Sequence, residues 1–169
     1  MGRQISLLKT AVEYGGDQSH GKAKVRRPLS TRKPIHVTLR SSKAVGSRSL
    51  RRYQAQIHLI MGLQSSRWGV RVYRSSINGN HIHLVMRGKT RLGIQNFFRT
   101  FAGLTARLVA DAKKGKPFGK FWDKTIWTRV AEWGQAFKAL GNYVVRNVLE
   151  STSIIAYDRR IPTAQVLRL

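Results

Sequence analysis

The strongest constraint on the fold is the turn signal Asn78-Gly79, which separates two runs of alternating apolar and polar residues. An Asn-Gly pair is typical of a type I′ turn, in which both central residues adopt positive φ and join two antiparallel strands. The turn therefore predicts a hairpin in which Ser76 lies opposite His81 and Arg74 lies opposite His83. Side chains alternate between the two faces of a strand. One face of the hairpin should then be a core face, made of Tyr73, Ser75, Ile77, Ile82, Leu84 and Met86.

The other face of the predicted hairpin is polar and carries Arg74, Ser76, His81 and His83. The rise per residue places the two imidazoles about 7 Å apart along one strand. Such a face packs poorly and suits a metal ion and a phosphate group. A His-x-His pattern also arises by chance and on its own favours a structural role, so the rest of the chain decides its meaning.

The chain carries a large excess of positive charge. Its 169 residues include 32 Lys and Arg against 7 Asp and Glu, a formal net charge of +25. The excess indicates a polyanionic partner, although a ribosomal-type protein or a basic protein at a membrane surface has the same composition. No apolar run approaches the roughly 18–20 residues that span a membrane, and the first residues lack a signal peptide. These features predict a protein without a membrane partner.

Cysteine is absent and acidic residues are scarce, which narrows the metal chemistry. The lack of Cys excludes thiolate ligands and fits the cytoplasm. A nuclease that holds two metal ions with carboxylates needs about three converging acids. Four acids lie from Asp111 to Glu150, but their spacing matches no recognisable site. Histidine-based metal chemistry is therefore favoured.

The order of predicted elements points to one fold class. Alternation predicts strands over 34–41 and 125–130, and helical spacing predicts helices over 47–66, 91–113 and 134–150. With the hairpin they give the ferredoxin-like βαββαβ order, an α+β fold in which helices cover one face of an antiparallel sheet. The last helix is an addition to that fold. The sequence thus divides into a flexible basic arm (1–33), one domain (34–150) and a C-terminal tail (151–169).

This fold predicts where the polar strand residues meet. Its first and third strands are neighbours at the centre of the sheet. His36 and Arg40 should therefore lie beside His81 and His83 on the face that the helices leave open.

Tyr143 and Asn147 stand four residues apart on the last predicted helix and are therefore neighbours on one helix face. They lie at the edge of its apolar stripe, where tyrosine is an ordinary boundary residue. A phenol oxygen is also a covalent nucleophile in some enzymes, and the amide oxygen of Asn147 is a suitable metal ligand.

These segments together resemble those of the single-tyrosine HUH transposases, and among them the REP-associated tyrosine transposases. The resemblance spans residues 34–150 and rests on four motifs, His36-Val37-Thr38-Leu39-Arg40, Asn80-His81-Ile82-His83-Leu84-Val85, Trp127-Thr128-Arg129 and Tyr143-Val144-Val145-Arg146-Asn147. Two features depart from the family pattern. Asn147 is followed by Val148 and Leu149 where the family often has Pro-Val, and the basic arm before the first strand is long.

The resemblance implies a role for each of these residues. Tyr143, on the C-terminal helix, would be the nucleophile, and His81, His83 and Asn147 would bind a divalent metal ion, Mg²⁺ or Mn²⁺. The implied enzyme is a transposase that cleaves single-stranded DNA, often beside an imperfect hairpin. It forms a 5′-phosphotyrosyl intermediate and transfers the strand without ATP.

The resemblance also implies a DNA-binding surface and a cellular setting. Phosphate contacts would come from His36, Arg40, Arg74, Lys114, Lys116, Lys120 and Arg129. The expected location is the bacterial cytoplasm, at the nucleoid. Some relatives share active sites between two protomers, so a homodimer is a candidate assembly.

Other functions remain open on the sequence alone. A replication initiator or relaxase-type nickase shares the chemistry, although no helicase motif or further domain is visible. A non-catalytic DNA- or RNA-binding protein on the same fold explains the charge, but it does not require Tyr143 and Asn147 in register with the histidines. An RNA-recognition domain would carry aromatic residues on the open face, where this chain has histidine, threonine and arginine.

Overall fold

The computed structural model describes residues 13–16, 26–152 and 154. Within them the elements are β1 (Glu13–Tyr14), β2 (Ile35–Arg40), α1 (Gln54–Trp68), β3 (Val70–Ile77), β4 (His81–Gly88), α2 (Arg91–Ala110), β5 (Trp127–Val130) and α3 (Gln135–Ser151). Two short 3₁₀ turns, Gly46–Arg48 and Leu50–Tyr53, lead into α1. None of the helices in these ranges is long and apolar enough to span a membrane.

The strands form one antiparallel sheet in the order β1-β5-β2-β4-β3. Without β1 this is the strand order of a ferredoxin-like βαββαβ fold, which confirms the predicted fold class. The edge strand β1 is an addition that the sequence pattern did not indicate. It lies within the segment predicted as a basic arm, and its Glu13 and Tyr14 pair with Arg129 and Thr128. The division into arm, domain and tail stays a prediction.

The hairpin between β3 and β4 forms, but its predicted turn type and register are wrong. Ser76 pairs with His83 instead of His81, and none of residues 78–80 has a positive φ. Tertiary hydrogen bonds hold the turn, since Leu50 N–H donates to the carbonyl of Gly79 at 2.8 Å. The register differs by two residues along one strand, so each histidine keeps its predicted face.

The predicted position of Tyr73 on the core face is wrong, because a β-bulge lies between Val72 and Arg74. The extra residue turns Tyr73 away from the core face and towards α3. Its ring lies edge-on to Trp133 and Phe137, with centroids 5.7 and 5.4 Å away. The two faces of the hairpin are otherwise as predicted.

Each face of the sheet is packed by different helices. The first face and helices α1 and α2 enclose the main core, which contains the fully buried residues Ile35, Val37, Leu50, Ile57, Ile82, Leu84, Met86, Ile94 and Phe97. Helix α3 lies on the second face over β3 and β4, where Leu140 and Val144 pack against Val85. Part of the second face, over β2 and β5, is therefore left uncovered beside α3.

Two glycines of α2 should respond in opposite ways to alanine. The amide of Gly93 donates to the capping Thr90 Oγ1 at 3.0 Å, and a Cβ at Gly93 would clash with the carbonyl oxygen of Trp68. We expect Gly93→Ala to lower the free energy of unfolding by about 1–3 kcal/mol. Gly103 has open space around it, so Gly103→Ala should raise that free energy by about 0.5–1 kcal/mol. Urea denaturation measures both, and a Gly93→Ala variant as stable as Gly103→Ala would contradict the packing.

Candidate active site

A cavity of about 610 Å³ opens on the uncovered part of the second face. It is bounded by β2 and β4 below, by β5 on one side and by α3 on the other. Its lining residues are Gly16, His36, Thr38, Arg40, His83, Asp123, Lys124, Thr125, Trp127 and Tyr143. The cavity thus unites one predicted metal ligand, the predicted nucleophile and two predicted DNA contacts.

His83 lies at the floor of the cavity and is only 6% exposed. Its Nδ1 is 3.0 Å from Oγ1 of Thr38, the residue directly across the β2–β4 ladder, and 3.2 Å from Nε2 of His36. When His83 carries its hydrogen on Nδ1, these atoms accept it and Nε2 keeps an electron pair. His83 is then a neutral imidazole that is held by partners from β2 and has Nε2 available.

His81 is held in a similar way by the amides of the hairpin turn. Its Nδ1 is 2.8 Å from Oδ1 of Asn80, so an Nδ1–H donates to that oxygen. Its Nε2 is 2.6 Å from Nδ2 of Asn78, which donates to the remaining electron pair. The rings of His81 and His83 have centroids 4.8 Å apart. The two imidazoles therefore lie close together, and His83 Nε2 is left for a ligand, whereas His81 Nε2 accepts the hydrogen bond from Asn78.

The surroundings keep all three neighbouring imidazoles neutral near pH 7. Burial, and then the charge of Arg129, lowers the pKa of His36 to about 3. Burial, with His36 and His81 nearby, holds the pKa of His83 well below its usual value. Burial and the charge of Arg40 also lower the pKa of His81. Neutral imidazoles retain the electron pairs that a metal ion requires.

Tyr143 lies beside these histidines because α3 is fixed by its apolar face. Leu140 and Val144, at the two sides of Tyr143 in the helix, are fully buried against the sheet. The half-buried Tyr143 ring is edge-on to His83 and His36, with centroids 5.5 and 5.9 Å away. The phenol is thus part of the same cavity as His36 and His83.

Asn147 is placed one helical turn beyond Tyr143, as predicted, but its side chain is engaged locally. Its Nδ2 donates to the carbonyl oxygen of Tyr143 at 2.8 Å. Within the ranges described, it makes no hydrogen bond to His81 or His83. A role as the third metal ligand stays a prediction.

The structure separates the predicted DNA contacts into different environments. Arg40 is exposed at the cavity mouth and pairs across the sheet with His81. Arg74 is exposed on β3, and Arg129 forms an ion pair with Glu13 at 3.2 Å. The three loop lysines Lys114, Lys116 and Lys120 are all exposed in the segment between α2 and β5.

His36 differs from the other predicted contacts because it is buried. Only 1% of its surface is exposed, and its ring is enclosed by His83, Trp127 and Tyr143.

Sequence reasoning missed several polar residues that support the site. The two histidines are held by Thr38, Asn78 and Asn80. The clearest sequence signal for such a partner was Asn80, which directly precedes the His-x-His pair. Asp123 was also missed. Its carboxylate accepts hydrogen bonds of 2.8 and 2.9 Å from the backbone amide of Ser42, which ties the loop before β5 to the end of β2.

Comparison with solved structures finds a related fold. A REP-associated tyrosine transposase bound to a REP hairpin aligns with a TM-score of 0.55 and 10% sequence identity, over 76% of this chain and 74% of that chain. At this identity the likeness shows the fold alone. A protein of Deinococcus radiodurans R1 described as a transposase aligns with a TM-score of 0.44 and 14% identity, over 75% of this chain and 98% of that chain. No curated protein matches the sequence.

The family of the chain follows from a match to a family model described as IS200-like transposase. The match covers residues 35–145, well over half of the chain, and includes His81, His83 and Tyr143. It confirms the resemblance to the single-tyrosine transposases that the motifs indicated. The chain belongs to the IS200-like transposase family.

Proposed function

We propose that this chain is a metal-dependent single-strand DNA endonuclease and strand transferase that acts through a 5′-phosphotyrosyl intermediate. The observation that carries the proposal is the packing of Tyr143 against His83 in one cavity, with ring centroids 5.5 Å apart. Membership of a transposase family supports DNA transposition as the purpose of this chemistry.

The proposed ligands of a divalent ion are His81, His83 and Asn147. Both imidazoles have Nδ1 held by neighbours. His81 Nε2 accepts from Asn78, which would have to release it for His81 to bind the ion. The Asn147 hydrogen bond uses Nδ2, which leaves Oδ1 as a donor atom. The described part of the chain holds no group of three or more His, Asp and Glu side chains suited to a metal ion. An amide and DNA oxygens would therefore complete the ligand set, which suits Mn²⁺ or Mg²⁺. When bound, the ion would polarise the scissile phosphate and offset its charge.

Tyr143 is the proposed nucleophile. Its phenol oxygen attacks the phosphorus and gives up its proton to solvent. The bond from phosphorus to the 3′ oxygen breaks, and the leaving 3′-hydroxyl takes up a proton. The 5′ phosphate stays esterified to Tyr143. Attack by another 3′-hydroxyl on this ester reverses the step and joins two strands without ATP.

Single-stranded DNA beside a hairpin is the proposed substrate. The related transposase structure contains a REP hairpin, and the net charge of +25 favours a nucleic acid partner. Arg40 and Lys124 at the cavity would contact the phosphates next to the cleaved bond. More distant phosphate contacts are proposed for Arg74, Lys114, Lys116, Lys120 and Arg129.

We also retain the expected organisation around this activity as a proposal. Residues 34–150 would form the catalytic unit, flanked by a basic arm and a C-terminal tail, in a protein that works at the bacterial nucleoid. A second copy of the chain is the candidate protein partner. Light scattering after size-exclusion chromatography, with and without DNA, distinguishes a monomer from a homodimer.

An end-labelling experiment tests the proposed reaction. Single-stranded oligonucleotides from the DNA that flanks the gene are incubated with the chain and Mn²⁺ or EDTA, then denatured in SDS. A 5′-phosphotyrosyl bond retains the 3′ part of the strand, so a 3′ label should shift with the protein. A 5′ label should appear in a shortened fragment with a free 3′-hydroxyl. Both products should require Mn²⁺.

Two results would contradict the proposal. A 5′ label that shifted with the protein would show that the protein is joined to the 5′ part of the strand, which is the opposite polarity to the one proposed. Tight DNA binding without any adduct, over a broad set of hairpin substrates, would instead indicate a DNA-binding protein that has the fold without the chemistry.

A further inference from the structure

We propose that His36 is a positioning residue for His83, a role that rests on the proposed metal-dependent reaction. Its Nε2 would accept the hydrogen of His83 Nδ1 and so keep His83 Nε2 available to the metal ion. The sequence instead suggested His36 as a DNA contact.

The burial of His36 does not suit a DNA contact. The residue lies in the middle of β2 and is 1% exposed. Trp127 and Tyr143 are both edge-on to its ring, with centroids 5.1 and 5.9 Å away. A phosphate group would therefore find almost no exposed imidazole surface to contact. The ring thus lies in the cavity wall with almost no exposed surface, and its Nε2 faces His83.

The hydrogen bond to His83 is the one polar contact that the His36 ring makes in the described residues. It joins His36 Nε2 and His83 Nδ1 at 3.2 Å, with the two rings tilted by 30°. The other ring nitrogen, Nδ1, is buried and has no hydrogen-bond partner in that part of the chain. A buried unpartnered nitrogen is costly, and an apolar side chain would fill the same space without that cost. An imidazole at this position therefore favours a functional role at its Nε2.

Thr38 does not select a tautomer of His83 by itself. Its hydroxyl lies 3.0 Å from the same Nδ1, but a hydroxyl rotates and can either donate or accept a hydrogen bond. His36 becomes a pure acceptor at Nε2 when its own hydrogen is on Nδ1. In that state His83 must carry its hydrogen on Nδ1, and its Nε2 is a free electron pair. Outer partners of this kind change metal affinity by about 10–100-fold in other proteins.

Titration of the full chain with Mn²⁺ alone, by calorimetry, tests the role of His36. His36→Phe retains a ring but removes the acceptor, so Mn²⁺ affinity should fall by about 10–100-fold. His36→Gln restores an acceptor and should recover most of the affinity. His58→Phe, at an exposed position of α1, is the matched control and should bind Mn²⁺ like the unmodified chain. Single-stranded DNA binding in EDTA should be the same for all four proteins.

A second measurement needs no variant that might misfold. Two-bond ¹H–¹⁵N spectra of the metal-free chain report which ring nitrogen of His83 is protonated, and we expect Nδ1. A hydrogen on Nε2, or unchanged Mn²⁺ affinity in His36→Phe, would overturn the role of His36. Loss of DNA binding in EDTA in both His36 variants would instead support the predicted role of His36 as a DNA contact. If the unmodified chain itself bound no Mn²⁺, the proposed metal-dependent function would fail together with this inference.

Discussion

Replacing Tyr143 with phenylalanine should reduce formation of the covalent protein–DNA adduct by about a thousandfold or more, because the change removes only the attacking oxygen. The phenylalanine ring can keep the edge-on contacts with His83 and His36. The fold and the affinity for single-stranded DNA should therefore change little. Adduct formation and strand cleavage in Mn²⁺, measured beside DNA binding in EDTA, separate the loss of chemistry from the loss of binding.

Tyr73 supplies the matched control for this substitution. It lies on the same face of the sheet, but its ring packs against Trp133 and Phe137 and does not line the cavity. Tyr73→Phe removes an identical hydroxyl and should leave cleavage at the unmodified rate. If Tyr143→Phe formed as much adduct as Tyr73→Phe, the nucleophile would have to be another residue.

The fold was largely readable from the sequence because the relevant signals are local. The alternation of Ile35, Val37 and Leu39 with polar residues fixed the core face of β2, and these three side chains are buried as predicted. The hairpin register was not readable. The turn is held by a hydrogen bond from the amide of Leu50 to the carbonyl of Gly79, and these residues are distant in sequence. The bulge at Tyr73 likewise reflects packing against α3, which strand periodicity does not contain.

The candidate site likewise combines local features that the sequence predicted with long-range contacts that it did not. Spacing alone placed His81 and His83 on one strand face and Tyr143 on the exposed edge of a helix stripe. The contact of Tyr143 with His83 joins residues from two ends of the domain and requires α3 to lie on the second face. The burial of His36 has the same cause, since Trp127 and Tyr143 enclose it. A polar residue on an apparently open strand face therefore proved to be interior.

Replacing His83 with alanine should reduce Mn²⁺-dependent cleavage by about three orders of magnitude, since a ligated metal ion contributes several kcal/mol to the transition state. His83 is the more informative of the two strand histidines because it lines the cavity and contacts Tyr143. DNA binding in EDTA should persist, because the basic surface is unchanged. If the alanine variant is unstable, His83→Gln can replace it, because glutamine retains most of the side-chain volume. His83→Gln should show the same loss of cleavage.

His58→Ala is the control for this loss, because it removes an exposed imidazole from α1 and should leave cleavage unchanged. The dependence of cleavage on Mn²⁺ concentration adds a second test. If His83 binds the ion, the defect in His83→Ala should shrink when Mn²⁺ is raised far above its affinity for the unmodified chain, since excess metal compensates for a weakened site. If His83→Ala and His58→Ala cleaved at the same rate at low Mn²⁺, His83 would not be a metal ligand. The reaction of Tyr143 would then need another group to activate the phosphate.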